Sequence, residues 1–227
     1  MSGSKGIIDT ERLRSKKVVI IGVGGLGCTA AQLLARQGVV LKLVDGDIVE
    51  PSNLERQIMF TKSDIGKNKV DAAKEKISDF TNVETLFDTL DAKNTEDILS
   101  DVDLVLDCTD NNETRDIIDD YCTANGIPWV HSAGVKEIGT LYLTDPNDKT
   151  RANYGSFNRG KKGESACDVG VMNTTVSMVG AMAAKLAVDH LAGRETPKEL
   201  LRFDLADISI ERIRVKKADD ASDKTKQ

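Results

Sequence analysis

Apolar positions along the chain fall into short runs that alternate with helical stripes. Val18–Ile21, Val39–Val44, Val83–Phe87, Leu104–Asp107 and Trp129–Ala133 are compact, mostly β-branched runs with the length of buried strands. Between them lie segments with helical spacing. These are Gly25–Gln37, closed by Gly38; the stretch after Gly66, where Val70, Ala73, Ile77 and Phe80 share a face; Asn94–Leu99; and Asn112–Asn125, ended by Gly126. Strand alternating with helix predicts a parallel sheet covered on both faces. From Glu137 the pattern changes. Glu137–Leu143 alternates like an antiparallel strand, Val171–Leu191 is the longest helix, and Leu200–Leu205 and Ile208–Val215 are further strands. The expectation is an α/β fold: a Rossmann-like doubly wound sheet, mostly parallel, with antiparallel strands added in the C-terminal part.

One domain spanning 1–227 accounts for the whole chain, long enough for a sizeable core. Residues 1–15 read as an N-terminal arm with a short helix over Thr10–Lys16, and 216–227 as a solvated tail. Residues 144–168, rich in glycine and charge, read as a mobile flap. In the long helix, Val171, Thr175, Met178, Val179, Met182, Leu186 and His190 share one face, while Ala181, Ala184 and Val188 keep the other small. A helix so apolar is buried on two sides or lies in a subunit interface, and a homodimer is expected.

Chemistry concentrates between Gly22 and Lys69. Gly22, Gly24, Gly25 and Gly27 follow the first strand and open a helix, where backbone N–H groups can meet a phosphate. Asp45 closes the second strand, placed to accept hydrogen bonds from ribose hydroxyls. The irregular stretch 46–64 is long for a compact domain and carries Asp47, Asn53, Arg56 and Gln57. Lys69 sits in the first turn of the next helix, an unfavourable end for a cation. Asp107 and Asp110 sit at the carboxyl end of a later strand, where open α/β sheets place ligands. His131, on a strand without a visible partner, reads as a packed core residue.

The charge balance is acidic, 37 carboxylates against 31 basic side chains, and no basic block points to nucleic acid. No apolar run is long enough for a bilayer and the opening segment lacks a signal core, so a soluble, cytoplasmic protein is expected. Four cysteines are widely spaced without any Cys-x-x-Cys, against both a disulfide framework and a structural zinc.

Taken in order, Gly22–Gly27, Asp45-Gly46-Asp47, Asn53-Leu54-x-Arg56-Gln57, Gly66-x-x-Lys69-Val70 and Cys108-Thr109-Asp110-Asn111 resemble the E1-type adenylyltransferase family, over about Lys16 to Leu191. The resemblance implies ATP, magnesium and a carboxylate that attacks the α-phosphate while pyrophosphate leaves. Both reactants are anions, so neutralisation and alignment carry the catalysis. By the same resemblance, the four glycines admit the nucleotide, Asp45 holds the ribose, and Asp47 and Asn53 shape the site. Arg56 and Lys69 neutralise phosphate and carboxylate oxygens, Gln57 orients one of them, and Asp110 holds magnesium.

Departures from the family pattern are informative. Many relatives carry zinc on paired Cys-x-x-Cys; this chain has neither pair, so no metal other than magnesium is expected. Many carry an Arg-rich start that reaches the partner subunit's ATP; here only Arg12 and Arg14 precede the first strand. The flap over 144–168 matches the family's crossover loop. Cys167 stands near where some sulfur-carrier-activating relatives place a reactive cysteine, which makes it a possible acceptor thiol or an ordinary small residue at a helix start. The activated carboxylate is expected on the C-terminal glycine of a ubiquitin-like carrier protein. The alternative is a small-molecule carboxylate, as in relatives acting on the pyridinol precursor of the Fe-hydrogenase cofactor. An NAD-dependent dehydrogenase or a non-catalytic scaffold would share the glycine fingerprint but leave Arg56, Gln57, Lys69 and Asp110 without tasks.

Overall fold

The structure, a computed structural model, describes residues 8–158 and 169–216. Strands β1 (Lys17–Ile21), β2 (Val40–Val44), β3 (Val83–Leu86), β4 (Leu104–Asp107) and β5 (Trp129–Val135) pair in parallel. Strands β6 (Ile138–Thr144), β7 (Leu200–Asp204) and β8 (Ser209–Ile213) extend the sheet antiparallel. The order is β3-β2-β1-β4-β5-β6-β7-β8, the doubly wound sheet with antiparallel additions that the alternation of runs predicts. Six α-helices accompany it among the described residues: α1 (Thr10–Arg14), α2 (Gly25–Arg36), α3 (Lys69–Ile77), α4 (Thr95–Leu99), α5 (Asn112–Asn125) and α6 (Asn173–Leu191).

The pleat sorts the core into two layers. Val18 and Ile20 of β1 face the apolar sides of α2, α3 and α6, whereas Val19 and Ile21 face α4 and α5. Chain winding reverses between β1 and β4, which are neighbours in register. A crevice therefore opens at their carboxyl ends.

Helix α6 packs between α2 and the β5–β6 half of the sheet, through glycine. A Cβ on Gly180 would lie 2.5 Å from the Leu26 carbonyl oxygen, and one on Gly139 would overlap a Val179 methyl. Val176, Val179, Ala183 and Ala187 are buried, and Met178 and Met182 are half-buried against the same core. The two-sided apolarity of this helix is thus met within the chain. Helix packing alone does not call for a second copy.

Other details depart from the periodicity. Phe80 lies past the end of α3 and is exposed, its ring stacked 4.1 Å beneath the Arg36 guanidinium. Residues 145–158, expected as the first part of an unpacked flap, are fastened to the sheet. Arg151 is buried and donates to the carbonyls of Pro197 (2.6 Å) and Thr196 (3.0 Å), tying this segment to the α6–β7 connection. Tyr154 is wholly buried against Trp129, His131 and Phe157. Residues 159–168, with Cys167 among them, and the ends at 1–7 and 217–227 lie outside the described residues. No helix among the described residues is long and apolar enough to cross a membrane.

The long loop after β2 is built rather than loose. Val49 N–H donates to the Lys67 carbonyl (2.8 Å) and Gly66 N–H to the Val49 carbonyl (2.9 Å), so its two ends pair with each other. Val49, Met59 and Phe60 anchor it in the core beside α2. Asp64 closes the far end: its buried carboxylate accepts from the Thr61 amide and hydroxyl, both at 2.8 Å, and sits 2.9 Å from Lys76 on α3. Burial opposes the charge, yet the bonds from Lys76 and Thr61 hold the carboxyl well below the usual carboxylate range. A depressed folded pKa stabilises the fold above the unfolded value and loses that contribution as pH falls through the folded one. Asp64→Asn is expected to lower stability by about 1–3 kcal/mol at pH 7. Urea unfolding of both proteins should show that gap constant above about pH 5 and narrowing in stronger acid.

Candidate active site

An open cleft of about 520 Å³ lies at the carboxyl ends of β1, β2 and β4. Its lining comes from separate segments: the glycine turn after β1, Asp45–Asp47 after β2, the 50–57 stretch, Lys69, Asp88–Leu90 after β3, Cys108–Asn111 after β4, and Ala133–Val135 with Val171 and Val176 as an apolar wall. Of the sequence-predicted residues, Gly22, Gly24, Gly25, Asp45, Asp47, Asn53, Arg56, Gln57, Lys69 and Asp110 all line it. Gly27 does not. It lies one turn into α2, where a Cβ would overlap the Gly22 carbonyl oxygen; its task is close helix–strand packing.

Two glycines are required by what surrounds them. Gly22 has φ +90°, and a Cβ there would lie 2.8 Å from the Cys108 carbonyl oxygen. Gly25 opens α2 against α6, and a Cβ there would lie 2.7 Å from Val176 Cγ2. Gly24 meets no such wall: the nearest atom to a Cβ is Gln57 Nε2 at 3.8 Å.

The polar floor is connected. Asp45 accepts from the Val23 amide (2.6 Å) and the Asp47 amide (2.8 Å), which ties the glycine turn to the end of β2. Burial raises the Asp45 carboxyl above its ordinary range, against the opposing charge of Lys69. Lys69 is buried, its Nζ 2.7 Å from Asp47 Oδ2 and 4.0 Å from Asp45 Oδ1. Its amide donates to the Asp47 carbonyl at 3.0 Å. The cation at a helix start is therefore held by two carboxylates, which outweigh a helix-end preference worth under about 1 kcal/mol.

Across the cleft, Asn53 is buried and accepts from the Glu50 amide at 3.1 Å, shaping the turn that carries Arg56. Arg56 donates to the Ser52 carbonyl (3.1 Å) and pairs with Glu55 (3.2 Å). Gln57 is 3% exposed and its Oε1 has no hydrogen-bond partner. An orphaned buried amide oxygen beside the glycine turn asks for a donor.

Sequence reasoning missed two features of this cleft. Asp88 and Thr89 close it beside Gly46, where a Cβ would lie 2.6 Å from Thr89 Oγ1. The available signal was their place after β3, the rule already applied to Asp45 and Asp107. The second is Arg115 on α5, buried, lining the cleft and paired at 3.0 Å with Asp107. Burial would raise the Asp107 carboxyl, but Arg115, with His131 and Thr109, holds it below its ordinary range. His131 is buried with Nδ1 3.4 Å from Asp107 and Nε2 3.2 Å from Thr140 Oγ1. Burial lowers its pKa, so the imidazole is neutral at pH 7. It packs beneath the site and does not line the cleft.

A family model described as the ThiF family matches residues 3–224. The chain belongs to the ThiF family. It is an E1-like adenylyltransferase, and the dehydrogenase reading of its glycine turn falls away. Among curated relatives of this ThiF-family chain is the molybdopterin-synthase adenylyltransferase of Haemophilus influenzae, 33% identical over 90% of this chain and 87% of that protein. Another is the adenylyltransferase and sulfurtransferase uba4 of Emericella nidulans, 37% identical over 87% of this chain but only 45% of the longer fungal protein. Among solved structures, E. coli MccB with ATP superposes with a TM-score of 0.81 over 92% of this chain and 66% of that one. At 20% identity that likeness shows the fold alone.

The Gly25–Val176 contact generates a test. Gly25→Ala is expected to destabilise the protein by about 1–3 kcal/mol through overpacking, and Gly24→Ala to cost far less. Combined with Val176→Ala, Gly25→Ala should show a coupling of about 1 kcal/mol or more in chemical unfolding. Additive effects would mean that α2 and α6 do not meet there.

Proposed function

We propose that this cleft binds ATP and adenylylates the C-terminal carboxylate of a small carrier protein, releasing pyrophosphate. The observation that carries the reading is convergence. Segments far apart in sequence bring a glycine turn, the largely buried carboxylate of Asp45, two cations and an orphaned amide oxygen to one opening. In this reading Asp45 accepts from the ribose hydroxyls. Lys69 and Arg56 neutralise phosphate and carboxylate oxygens as they approach, which replaces repulsion between anions with attraction in a partly dry site. Their nearest partners, Asp47 and Glu55, are largely exposed, so each of these pairs is weak on its own and can give way to a stronger anion in this reading. Gln57 orients a donor of the nucleotide. Neither a general base nor a protein nucleophile is needed for this step.

Among the described residues no cluster of three or more His, Cys, Asp or Glu side chains forms a metal cage. Magnesium fits such a site, because it is commonly held by one or two carboxylates plus substrate phosphates. Asp110, exposed on the cleft rim, is the carboxylate assigned to it. The ion would supply charge neutralisation at the phosphates. The names of the bacterial and fungal relatives, which join adenylyl transfer to molybdopterin synthase and to sulfur transfer, support a carrier protein of sulfur chemistry. A homodimer belongs to this reading through family kinship, not through the apolarity of α6. A thiol role for Cys167, in transfer after adenylation, also stays with it.

ATP–pyrophosphate exchange, measured with candidate carrier proteins and small carboxylic acids, tests the assignment. Lys69→Ala, Arg56→Ala and Asp110→Ala should each lower exchange by about 100-fold or more. Arg56→Ala and Asp110→Ala, on the cleft rim, should change stability by about 0.5 kcal/mol or less. Exchange that survives all three substitutions would refute the site.

A further inference from the structure

Arg115 lines the cleft yet has no part in the roles assigned above. Its Nε donates to Asp107 Oδ2 at 3.0 Å, one terminal nitrogen donates to Asn112 Oδ1 at 3.2 Å, and the other to the Thr109 carbonyl. Asp107 takes hold of the same turn from the other side. Its Oδ1 accepts from the Thr109 amide at 2.9 Å and the Thr109 hydroxyl at 2.6 Å. The peptides on both sides of Thr109 are therefore fixed, one through its N–H and the other through its C=O. The next residue is Asp110, exposed at the cleft and close enough for its charge to act on the guanidinium.

Stability does not explain this arrangement. A buried ion pair roughly breaks even against well-packed apolar side chains, because desolvation offsets the attraction. Its value lies in geometry, since a planar guanidinium serves several acceptors at fixed angles.

We infer that Arg115 is a positioning residue for adenylyl transfer, clamping Thr109 with Asp107 so that Asp110 meets the metal-bound triphosphate. The inference rests on the ATP reading above. It differs from a structural role because the clamp acts on one carboxylate and on metal-dependent binding only. Lysine in place of Arg115 keeps the charge but cannot reach Asp107, Thr109 and Asn112 together.

The test is calorimetry of ATP binding with Mg²⁺ and with EDTA, on the full chain, beside pyrophosphate exchange. Arg115→Lys should weaken Mg–ATP about tenfold or more, the scale seen when a residue supporting a metal ligand is changed. Binding of metal-free ATP should stay within about twofold. In exchange, kcat should fall about 10- to 100-fold with KM for the carboxylate little changed. In an Asp110→Ala background the substitution should have no further effect on Mg–ATP binding. Thr109→Val, which removes only the hydroxyl bond to Asp107, should act in the same direction and covers the case in which Arg115→Lys does not fold. Unchanged Mg–ATP affinity in the folded variants overturns the inference. Equal weakening with and without metal also overturns it, because Arg115 would then touch the nucleotide itself. If the unaltered protein binds neither form of ATP, the ATP reading fails and this inference with it.

Discussion

Gly22 turns the chain out of β1 against the Cys108 carbonyl, at φ +90°, where a Cβ would lie 2.8 Å from the oxygen. That one close approach lets β1 and β4 leave the sheet side by side while their connections wind to opposite sides. Everything at the cleft depends on it. The glycine turn, Asp45 after β2 and Asp110 after β4 share one opening because these strand ends are in register. Gly27 and Gly25 continue the same constraint, pressing α2 onto the Gly22 carbonyl and against Val176. The small residues of this turn are therefore required by packing between β1, β4, α2 and α6.

Charge in the site is arranged in pairs of unequal firmness. Lys69 is buried but bonded to the exposed Asp47, and Arg56 is bonded to the exposed Glu55. Pairs with a solvated partner have small net strength. Asp107 and Arg115 are both buried, and Asp107 carries two further bonds from Thr109. Removing one partner of such a pair leaves an uncompensated charge and is costly. The loose pairs face the cleft; in the firm one Arg115 reaches the cleft lining while Asp107 lies beneath it.

The site was legible in the sequence to the extent that ligand-facing residues cluster at strand ends. Alternating apolar runs marked the strands, and Asp45 and Asp110 follow from the place of those runs. The loop carrying Asn53, Arg56 and Gln57 stood out by its length, though not by its form. Its closure depends on pairing Val49 with Gly66 and Lys67, and on Asp64 reaching Lys76. Neither contact has a sequence period. Arg115 escaped notice because an arginine on an amphipathic helix normally faces water; only the fold shows that this one turns inward to Asp107.

By itself the sequence determined what local chemistry determines: the strand and helix order, the glycine turn, the family, and most residues of the cleft. Hydrophobic periodicity and backbone requirements act over a few residues, so they can be read without coordinates. Tertiary structure alone decided which charges meet and which apolar faces are already covered. The apolar stripe of α6 allowed either burial on two sides or a subunit interface, and the fold shows α2 and the sheet packed against it within the chain. Residues 145–152 looked loose until Arg151 was seen bonded to Pro197 and Thr196. Burial and pairing depend on residues distant in the chain, and their energies appear only when the fold brings those residues together.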